Sequence, residues 1–215
     1  MTVLDLSHPM EPSMPVYPGT EPPRFEPANT YEKDGFKETK VTFFTHTGTH
    51  MDPPAHILPG RTSLDQFPPS QFIGMAVVID CGDIPAGGAI GPDRILSRGP
   101  DAEKADFLLF RPGWDRFWGT PEYFGDYPCL TMEAIDLIIK RGYKGIGLDV
   151  IGLDPVWGEP LPRHKRLFQN TDIVNIENLT RLDMCPPTPF HFSCFPLPIH
   201  DADGSPVRAV AWWDE

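Results

Sequence analysis

Three short apolar runs constrain the fold of this 215-residue chain more than any other feature of its sequence. They are MAVVID at residues 75–80, DFLLFR at residues 106–111 and KGIGLDV at residues 144–150. Each run is rich in aliphatic side chains and lacks polar alternation, which is typical of strands that are buried on both faces. The runs therefore favour a sheet that is covered on both sides.

A helix is predicted between the last two runs, in TMEAIDLIIKRG at residues 131–142. Thr131 suits the N-cap, and Gly142 suits the position just beyond the last turn. The apolar stripe consists of Ile135, Ile138 and Ile139. Strand, helix and strand in this order indicate a right-handed crossover between parallel strands.

The remaining segments predict a mixed sheet with few helices, folded as a single domain over residues 1–215. Further strands are expected at residues 3–7, 40–46, 172–176 and 206–213, with a short helix at residues 163–169. Six prolines lie within residues 11–30, so this stretch is expected to be an ordered loop or an extended arm.

Charge and composition exclude several classes of protein. The net charge of -12 makes nucleic acid an unfavourable partner. We expect a cytoplasmic protein, since no signal peptide is recognised and no apolar run approaches the length of a membrane helix. The four cysteines contain no CxxC pair and are expected to be free thiols. Cys185, His191 and Cys194 suggest a zinc site, but a fourth ligand is missing.

The segment HTGTHMDPPAH at residues 46–56 holds three of the seven histidines. On a straight strand His46 and His50 would lie about 13 Å apart, too far to share an ion. Gly48 permits a tight bend between them, and the two prolines after Asp52 prevent a long helix. We therefore predict that a strand ends near Thr45 and that a tight turn follows. That turn would direct His46, His50 and Asp52 to one point.

Two imidazoles and a carboxylate suit Zn²⁺ or Mn²⁺, and Asp52 has two oxygens that can bridge a pair of ions. His56 is either a further ligand or a free base. The free base is favoured, because a catalytic ion keeps an open position for water. Thr45, Thr47 and Thr49 either hold ligands in place or reflect strand propensity.

The pattern H-x-G-T-H-x-D-x-P-x-H resembles the signature of the metal-dependent cyclase-like hydrolases, which include bacterial kynurenine formamidases (arylformamidases) and isatin hydrolases. The resemblance extends over nearly the whole chain. It includes LDLSHPMEPSMPVYPGTEPP, FLLFRPGW, YPCLTMEAIDLIIKRGYKGIGLDVIGLDP, RHKRLFQNTDIVNIENLTRLD and DGSPVRAVAW.

The resemblance implies a set of roles and a fold. His164 and Glu177 match distant metal ligands that join His46, His50 and Asp52 around what is expected to be two ions per subunit. His56 matches the catalytic acid/base, and Tyr17 falls where formamidases place an aromatic residue beside the substrate. The implied fold has three layers, β/β/α, and the implied assembly is a homo-oligomer, either a dimer or a tetramer. The implied partner is a small amide or lactam.

Several alternatives stay open at this point. Tyr17 stands where Trp is common in the family, Pro112 where Thr is usual, and Gly152 where Ser is frequent. Two reactions are therefore alternatives: the arylformamidase reaction on N-formylkynurenine and the hydrolysis of a cyclic amide such as isatin. A binding relative without turnover is a further alternative. A serine hydrolase is disfavoured because no G-x-S-x-G is present. A cupin-type dioxygenase is disfavoured by the histidine spacing.

Other side chains are weaker candidates for the site. Possible aromatic walls, besides Tyr17, are Phe43, Phe44, Phe67 and Trp114, and Arg111 either meets a substrate carboxylate or pairs with an acidic residue. His8, His191 and His200 compete for a metal role.

Overall fold

A computed structural model describes residues 1–158 and 160–214, and within them lie twelve strands and five α-helices. The strands are β1 Thr2–Asp5, β2 Arg24–Asn29, β3 Glu38–Thr42, β4 His50–Asp52, β5 Ile73–Asp80, β6 Ala89–Ile90, β7 Phe107–Arg111, β8 Cys129–Leu130, β9 Gly145–Leu148, β10 Val174–Glu177, β11 Phe190–Pro196 and β12 Ser205–Trp213. The helices are α1 Tyr31–Asp34, α2 Pro92–Leu96, α3 Pro100–Lys104, α4 Met132–Arg141 and α5 Pro162–Phe168. None of these helices is long and apolar enough to span a bilayer.

The main sheet closes on itself. Its strands follow the order β1-β12-β11-β5-β7-β9-β10-β4, and β4 pairs additionally with β12. The neighbours from β5 to β10 are parallel, whereas β1, β4, β11 and β12 make antiparallel pairs. The result is a barrel-like mixed sheet, which confirms the predicted α/β class with few helices.

Two apolar cores lie on opposite faces of the parallel strands, as β7 illustrates. Phe107 and Leu109 point into the barrel, where they join a cluster that includes aromatic side chains of β11. Leu108 and Phe110 point outwards and join the isoleucines of α4. Because side chains alternate along a strand, one short apolar run supplies both cores. The fold therefore consists of two sheet layers around the inner core and one helical layer over the outer core.

The predicted helix and its neighbours are confirmed in detail. The hydroxyl of Thr131 accepts a hydrogen bond from the backbone N–H of Ala134, and Gly142 follows α4 with φ +73°. The strands on either side of α4, β7 and β9, are parallel neighbours in the sheet.

The N-terminal third differs from the prediction. Residues 24–29 form β2, which pairs with β3 as an exposed two-stranded ribbon outside the main sheet. β3 ends at Thr42 and not near Thr45, because its partner strand begins at Arg24 and offers no backbone beyond the Arg24–Thr42 pair. His50 and Asp52 lie on a separate strand, β4, which the sequence did not predict.

Candidate metal centre

β4 and β10 place four polar side chains on one face of the sheet. They are antiparallel neighbours, with His50 opposite Glu177 and Asp52 opposite Asn175. The residues between these positions, Met51 and Ile176, point into the barrel core. The strand alternation that buries the apolar side chains therefore turns the polar ones outwards, towards α5.

α5 contributes His164 to this face, and its side chain is buried. The Nε2 atom of His164 lies 3.2 Å from Oε1 of Glu177 and 3.5 Å from Oδ2 of Asp52. The Nε2 atom of His50 lies 3.3 Å from Oδ1 of Asp52 and 3.4 Å from Oε2 of Glu177. Two imidazoles thus face the same pair of carboxylates.

His46 reaches the centre from the turn before β4. Its Nδ1 atom lies 2.8 Å from Oδ1 of Asp52, and its Nε2 atom is buried without a hydrogen-bond partner among the described residues. Gly48 has φ +68°, so the chain makes the bend that the sequence predicts. Gly204 gives the imidazole room, since a Cβ atom there would lie 2.6 Å from the His46 ring.

Hydrogen bonds fix which ring nitrogen two of the histidines present. The Nδ1 atom of His50 lies 2.8 Å from the carbonyl oxygen of Gly48, which can only accept a proton. The Nδ1 atom of His164 lies 2.7 Å from Oδ2 of Asp154. In both rings Nδ1 is therefore a donor, so Nε2 is the nitrogen that faces the carboxylates and that would be available to bind a metal ion.

The centre strongly favours positive charge. Burial disfavours the protonated form of His50, but Asp52 and Glu177 outweigh it and raise the pKa of His50 to about 10. The pKa of His164 is also raised, because its carboxylate partners outweigh burial. Burial alone would raise the pKa of Asp52, but the histidines outweigh this effect and hold the pKa well below its usual range. Divalent ions would satisfy the same carboxylates that otherwise attract protons.

The donor set fits such ions. Two groups of ligand atoms, within 4.8 Å of one another in each group, are His46–His50–Asp52 and Asp52–His164–Glu177. They share Asp52, and their mixture of imidazole and carboxylate suits zinc or manganese. The Nε2 atom of His46 makes no hydrogen bond among the described residues and has only Oδ2 of Asp203 nearby, at 3.5 Å, which agrees with a ligand at this point. The ligand atoms of a third group, His46–His56–Asp203, also lie within 4.8 Å of one another.

A cavity of about 430 Å³ opens onto the centre. One side is formed by the histidines and carboxylates, and the other side is largely apolar. The apolar wall consists of Pro15, Val16, Tyr17, Phe44, Ile151, Pro155, Val156 and Leu161. The Tyr17 hydroxyl donates a hydrogen bond of 3.3 Å to the carbonyl oxygen of Val156. This bond links two segments of the apolar wall that are distant in sequence.

His56 also lines the cavity, from a short 3-10 turn after β4. The centre of its ring lies 3.9 Å from that of His46 and 6.0 Å from that of His164. Burial lowers the pKa of His56, so its imidazole is neutral at neutral pH. The five residues expected to bind metal, together with His56 and Tyr17, are therefore brought together in space.

Most of the weaker candidates lie elsewhere. Of Phe43, Phe44, Phe67 and Trp114, only Phe44 lines the cavity. Phe67 and Trp114 pack against the two cores. Arg111 pairs with Asp80 at 3.0 Å, which is the alternative that the sequence left open.

The competing histidines and cysteines do not join the centre either. His8 stacks on Trp118 and His191 on Trp212, while His200 lies beside Asp65. All four cysteines are free, and Cys185, His191 and Cys194 form no metal-binding group in the part of the chain that the structure describes.

Several polar residues of the site escaped the sequence analysis. Asn175 donates from its Nδ2 atom to Asp52 at 2.9 Å and to Glu177 at 2.8 Å. Asn178, Asp154 and Asp203 also line or support the centre. The alternation of Asn175 and Glu177 with apolar neighbours was the available signal, since it places both on one face of a strand.

The fold and the site together define a mixed α/β protein with a histidine–carboxylate group that could hold a metal ion beside an apolar cavity. The model of the Cyclase family, with the description "Putative cyclase", matches residues 4–155, which is more than half of the chain. The chain belongs to this family, as the sequence resemblance predicted.

Individual relatives agree with this membership. The kynurenine formamidase of Bacillus cytotoxicus is 31% identical over 209 residues, which cover 96% of this chain and 95% of the relative. An isatin hydrolase bound to the product analogue thioisatinate matches with a TM-score of 0.88 at 23% identity, over 99% of this chain and 92% of its own. Isatin hydrolase A of Labrenzia aggregata, bound to benzyl benzoate, gives 0.83 at 26% identity, over 98% and 93%.

Proposed function

We propose that this protein is a metal-dependent hydrolase that cleaves the carbon–nitrogen bond of a small aryl amide, with arylformamides of the N-formylkynurenine type as the favoured class. The observation that carries the proposal is the group of three histidines and two carboxylates, buried except for the partly exposed His46, which opens into a largely apolar cavity beside a further histidine. The kynurenine formamidase relative covers almost the whole chain and supports the same reaction class.

In this proposal the metal would be held by His46, His50, Asp52, His164 and Glu177, and we expect two divalent ions per subunit, zinc or manganese. Such an ion, when bound, lowers the pKa of a water molecule towards about 7 and polarises a carbonyl group. The protein holds the ligand nitrogens in place through the Gly48 carbonyl and Asp154, so little reorganisation accompanies binding.

His56 moves the proton in this reaction. Its imidazole, neutral at neutral pH, accepts a proton from the attacking water as the water oxygen bonds to the formyl carbon. The carbon–nitrogen bond then breaks, and His56 returns that proton to the leaving aniline nitrogen. Water and the arylformamide thus become a free arylamine and formate, with one proton released to solvent.

Tyr17 and Phe44 hold the aromatic ring of the substrate against the apolar wall. Both lie in the wall and both retain exposed surface, 39% for Tyr17 and 52% for Phe44. A flat ring that covered them would bury apolar area and exclude water from the reacting bond.

The principal test is His56→Ala. We expect kcat to fall by about 10²–10⁴-fold, since proton transfer is lost. Metal content, measured by elemental analysis of protein purified without chelator, should stay at the parent level. Loss of metal from the variant would instead make His56 a ligand within the His46–His56–Asp203 group.

A cyclic amide such as isatin is the second candidate substrate. It is favoured by the likeness of the fold to the two isatin hydrolase structures. Absorbance assays on N-formylkynurenine and on isatin, each with and without EDTA, distinguish the two reactions. Bound metal without turnover of any amide or lactam would instead favour a binding protein.

Assembly and location form part of the proposal. We expect a homo-oligomer, either a dimer or a tetramer, because the β2–β3 ribbon leaves Phe25 and Val41 exposed on one face. A cytoplasmic location agrees with four free cysteines. Light scattering of the purified protein tests the first expectation.

A further inference from the structure

We infer that the two metal positions of the centre have unequal affinities and that the amide group of Asn175 sets the difference. The two positions are the groups His46–His50–Asp52, called the first position, and Asp52–His164–Glu177, called the second position. The second position is the weaker. The inference rests on the proposed function, from which it takes the expectation of two ions, and it deepens that function by setting the order in which they bind.

The four carboxylate oxygens of Asp52 and Glu177 divide between the two positions. Oδ1 of Asp52 and Oε2 of Glu177 lie 3.3 and 3.4 Å from Nε2 of His50. Oδ2 of Asp52 and Oε1 of Glu177 lie 3.5 and 3.2 Å from Nε2 of His164. One pair of oxygens therefore faces the first position, and the other pair faces the second position.

The protein itself already occupies the pair of oxygens at the second position. Nδ2 of Asn175 donates to Oδ2 of Asp52 at 2.9 Å and to Oε1 of Glu177 at 2.8 Å. The backbone N–H of Leu153 donates to the same Oε1 atom at 2.7 Å. A carboxylate oxygen has two lone pairs, so both lone pairs of Oε1 are in use. An ion beside His164 must therefore compete with amide protons for its carboxylate ligands.

The oxygens at the first position meet no such competition. Among the described residues, the hydrogen bonds and ion pairs of Oδ1 of Asp52 and Oε2 of Glu177 involve only the imidazoles of His46 and His50. Both imidazoles are expected ligands of the same ion. The first position thus combines two imidazoles with oxygens that accept from no other group, whereas the second combines one imidazole with oxygens that already accept hydrogen bonds.

The orientation of the Asn175 amide is fixed by its surroundings. A flipped amide would direct its carbonyl oxygen at two carboxylates, which only accept hydrogen bonds when ionised. In the observed orientation Oδ1 of Asn175 is buried and has no hydrogen-bond partner among the described residues. A buried carbonyl oxygen without a partner is unfavourable, so the two hydrogen bonds to carboxylates must outweigh it. The amide protons therefore stay at the second position.

This role of Asn175 differs from the usual role of groups that surround metal ligands. Such groups normally strengthen metal binding, because they orient a ligand through an atom that does not meet the ion. Asn175 instead donates to the two oxygens that His164 also faces. Since partners of metal ligands change metal affinity by about 10–100-fold, we expect the two dissociation constants to differ by at least about 100-fold once the second imidazole is included.

Titration with Mn²⁺ tests the inference without turnover, because the electron paramagnetic resonance signal of the free ion reports how much is bound. The parent protein should show two binding steps of unequal affinity. His164→Ala should lose the weaker step and retain the tighter one, and His50→Ala should lose the tighter step. Two equal steps in the parent, or loss of the tighter step in His164→Ala, would overturn the inference.

Asn175→Leu keeps the approximate size of the side chain and removes both donors. Its second dissociation constant should fall by about tenfold or more, while the first changes by less than about threefold. Asn175→Ala should act in the same direction and replaces the leucine variant if that variant does not fold. Asn170→Leu is the matched control, since Asn170 is exposed, and should leave both steps at the parent values. A second step that is unchanged or weaker without the Asn175 amide contradicts the inference and makes Asn175 a residue that orients the ligands.

The same titration separates this inference from the proposed function. If the parent shows one step only, Asn175→Leu decides the question: a second step that appears in the variant supports the inference, and its absence refutes it. Metal-loaded parent protein that hydrolyses neither a formamide nor a lactam would refute the proposed reaction. The order of metal binding would still stand on the titration.

Discussion

At the scale of single residues, Asn178 shows how an uncharged side chain orders a charged centre. Its Nδ2 atom donates to the Gly48 carbonyl at 2.7 Å, and its Oδ1 atom accepts from the Tyr123 hydroxyl at 2.6 Å. The Gly48 carbonyl oxygen also accepts a hydrogen bond from Nδ1 of His50. Asn178 therefore holds in place the carbonyl group that orients the His50 imidazole. The backbone of Asn178 has φ +58°, which Asn tolerates better than most residues.

Removal of this amide should weaken metal binding. Asn178→Gly keeps the backbone conformation accessible and deletes the side chain, and we expect a loss of about 10–100-fold in metal affinity. Tyr123→Phe should act in the same direction with a smaller effect. Competition titration against a chromophoric chelator measures both, with the exposed Asn170→Gly as control. Unchanged affinity in Asn178→Gly would show that the Gly48 carbonyl needs no such support.

Asp149 predicts a dependence of stability on pH. Its side chain is buried, Oδ2 accepts from the backbone N–H of Gly113 at 2.9 Å, and Oδ1 has no hydrogen-bond partner among the described residues. Burial, reinforced by the charge of Asp115, raises the pKa of Asp149 well above its usual range. Below a pH of about 4 the Asp149 carboxyl group is protonated in both the folded and the unfolded chain, so it does not change the free energy of unfolding.

As the pH rises above that value, the unfolded chain releases the proton first, so Asp149 lowers the free energy of unfolding. Asp149→Asn should therefore be more stable than the parent at pH 8, by on the order of 1–2 kcal/mol, and nearly equal to it at pH 4. Urea unfolding at both pH values measures the difference. The exposed Asp183→Asn serves as control, and a variant that is less stable than the parent at pH 8 would contradict the prediction.

The site could be predicted from sequence only as far as its interactions are local. His46, His50 and Asp52 lie within seven residues, so spacing and a glycine were sufficient to group them. His164 and Glu177 are thirteen residues apart and were assigned only through resemblance to a family. The contact of Asn178 with Tyr123 joins residues 55 positions apart, and no local pattern encodes a hydrogen bond of that kind.

At the scale of elements, prediction succeeded where an element carries its own signal. α4 has an N-cap residue, an apolar stripe and a glycine after its last turn, and β5, β7 and β9 are continuous apolar runs. β4 has only three residues, and its place between β10 and β12 depends on pairing with distant strands. β2 contains Pro27, which is tolerated because the ribbon stands outside the main sheet.

β9 has glycines because the interior of the barrel has no room there. A Cβ atom on Gly147 would lie 2.5 Å from Cδ1 of Leu179 and 2.8 Å from Cδ2 of Leu109. Gly147→Ala should therefore lower the free energy of unfolding by about 1–3 kcal/mol, as overpacking does. Thermal unfolding measures this change.

The matched control is Gly82→Ala, at an exposed position where the nearest atom would be Oδ1 of Asp80, at 3.3 Å. It should be nearly neutral. In a Leu179→Ala background the cost of Gly147→Ala should shrink, because the clashing methyl group is gone. An undiminished cost in that background would place the strain elsewhere.

At the scale of the whole molecule, the proposed metal ligands come from parts of the chain that are far apart in sequence. The turn before β4, β4 itself, α5 and β10 each contribute to the centre. The unfolded chain cannot hold these groups together, so an ion binds the folded state preferentially. Metal binding should therefore stabilise the fold as a whole.

We expect zinc or manganese at a free concentration of about 100 times Kd to add roughly 2.7 kcal/mol to the free energy of unfolding. For a chain of this size that corresponds to a rise in Tm of about 5–10 °C. Calorimetry with and without EDTA measures the shift. His50→Ala, which lacks one ligand, should show a much smaller rise, and an equal rise in this variant would place the bound ion at another site.

The alternation of the three residues of β4 couples correct strand register to metal binding. Met51 faces the barrel core, while His50 and Asp52 face the opposite side of the sheet, where they meet His164 and Glu177. A strand that paired one position out of register would bury an imidazole among hydrocarbons and turn a thioether towards the ion. Misregistered molecules would fail to load metal, so metal occupancy of a preparation would report the fraction that has folded correctly.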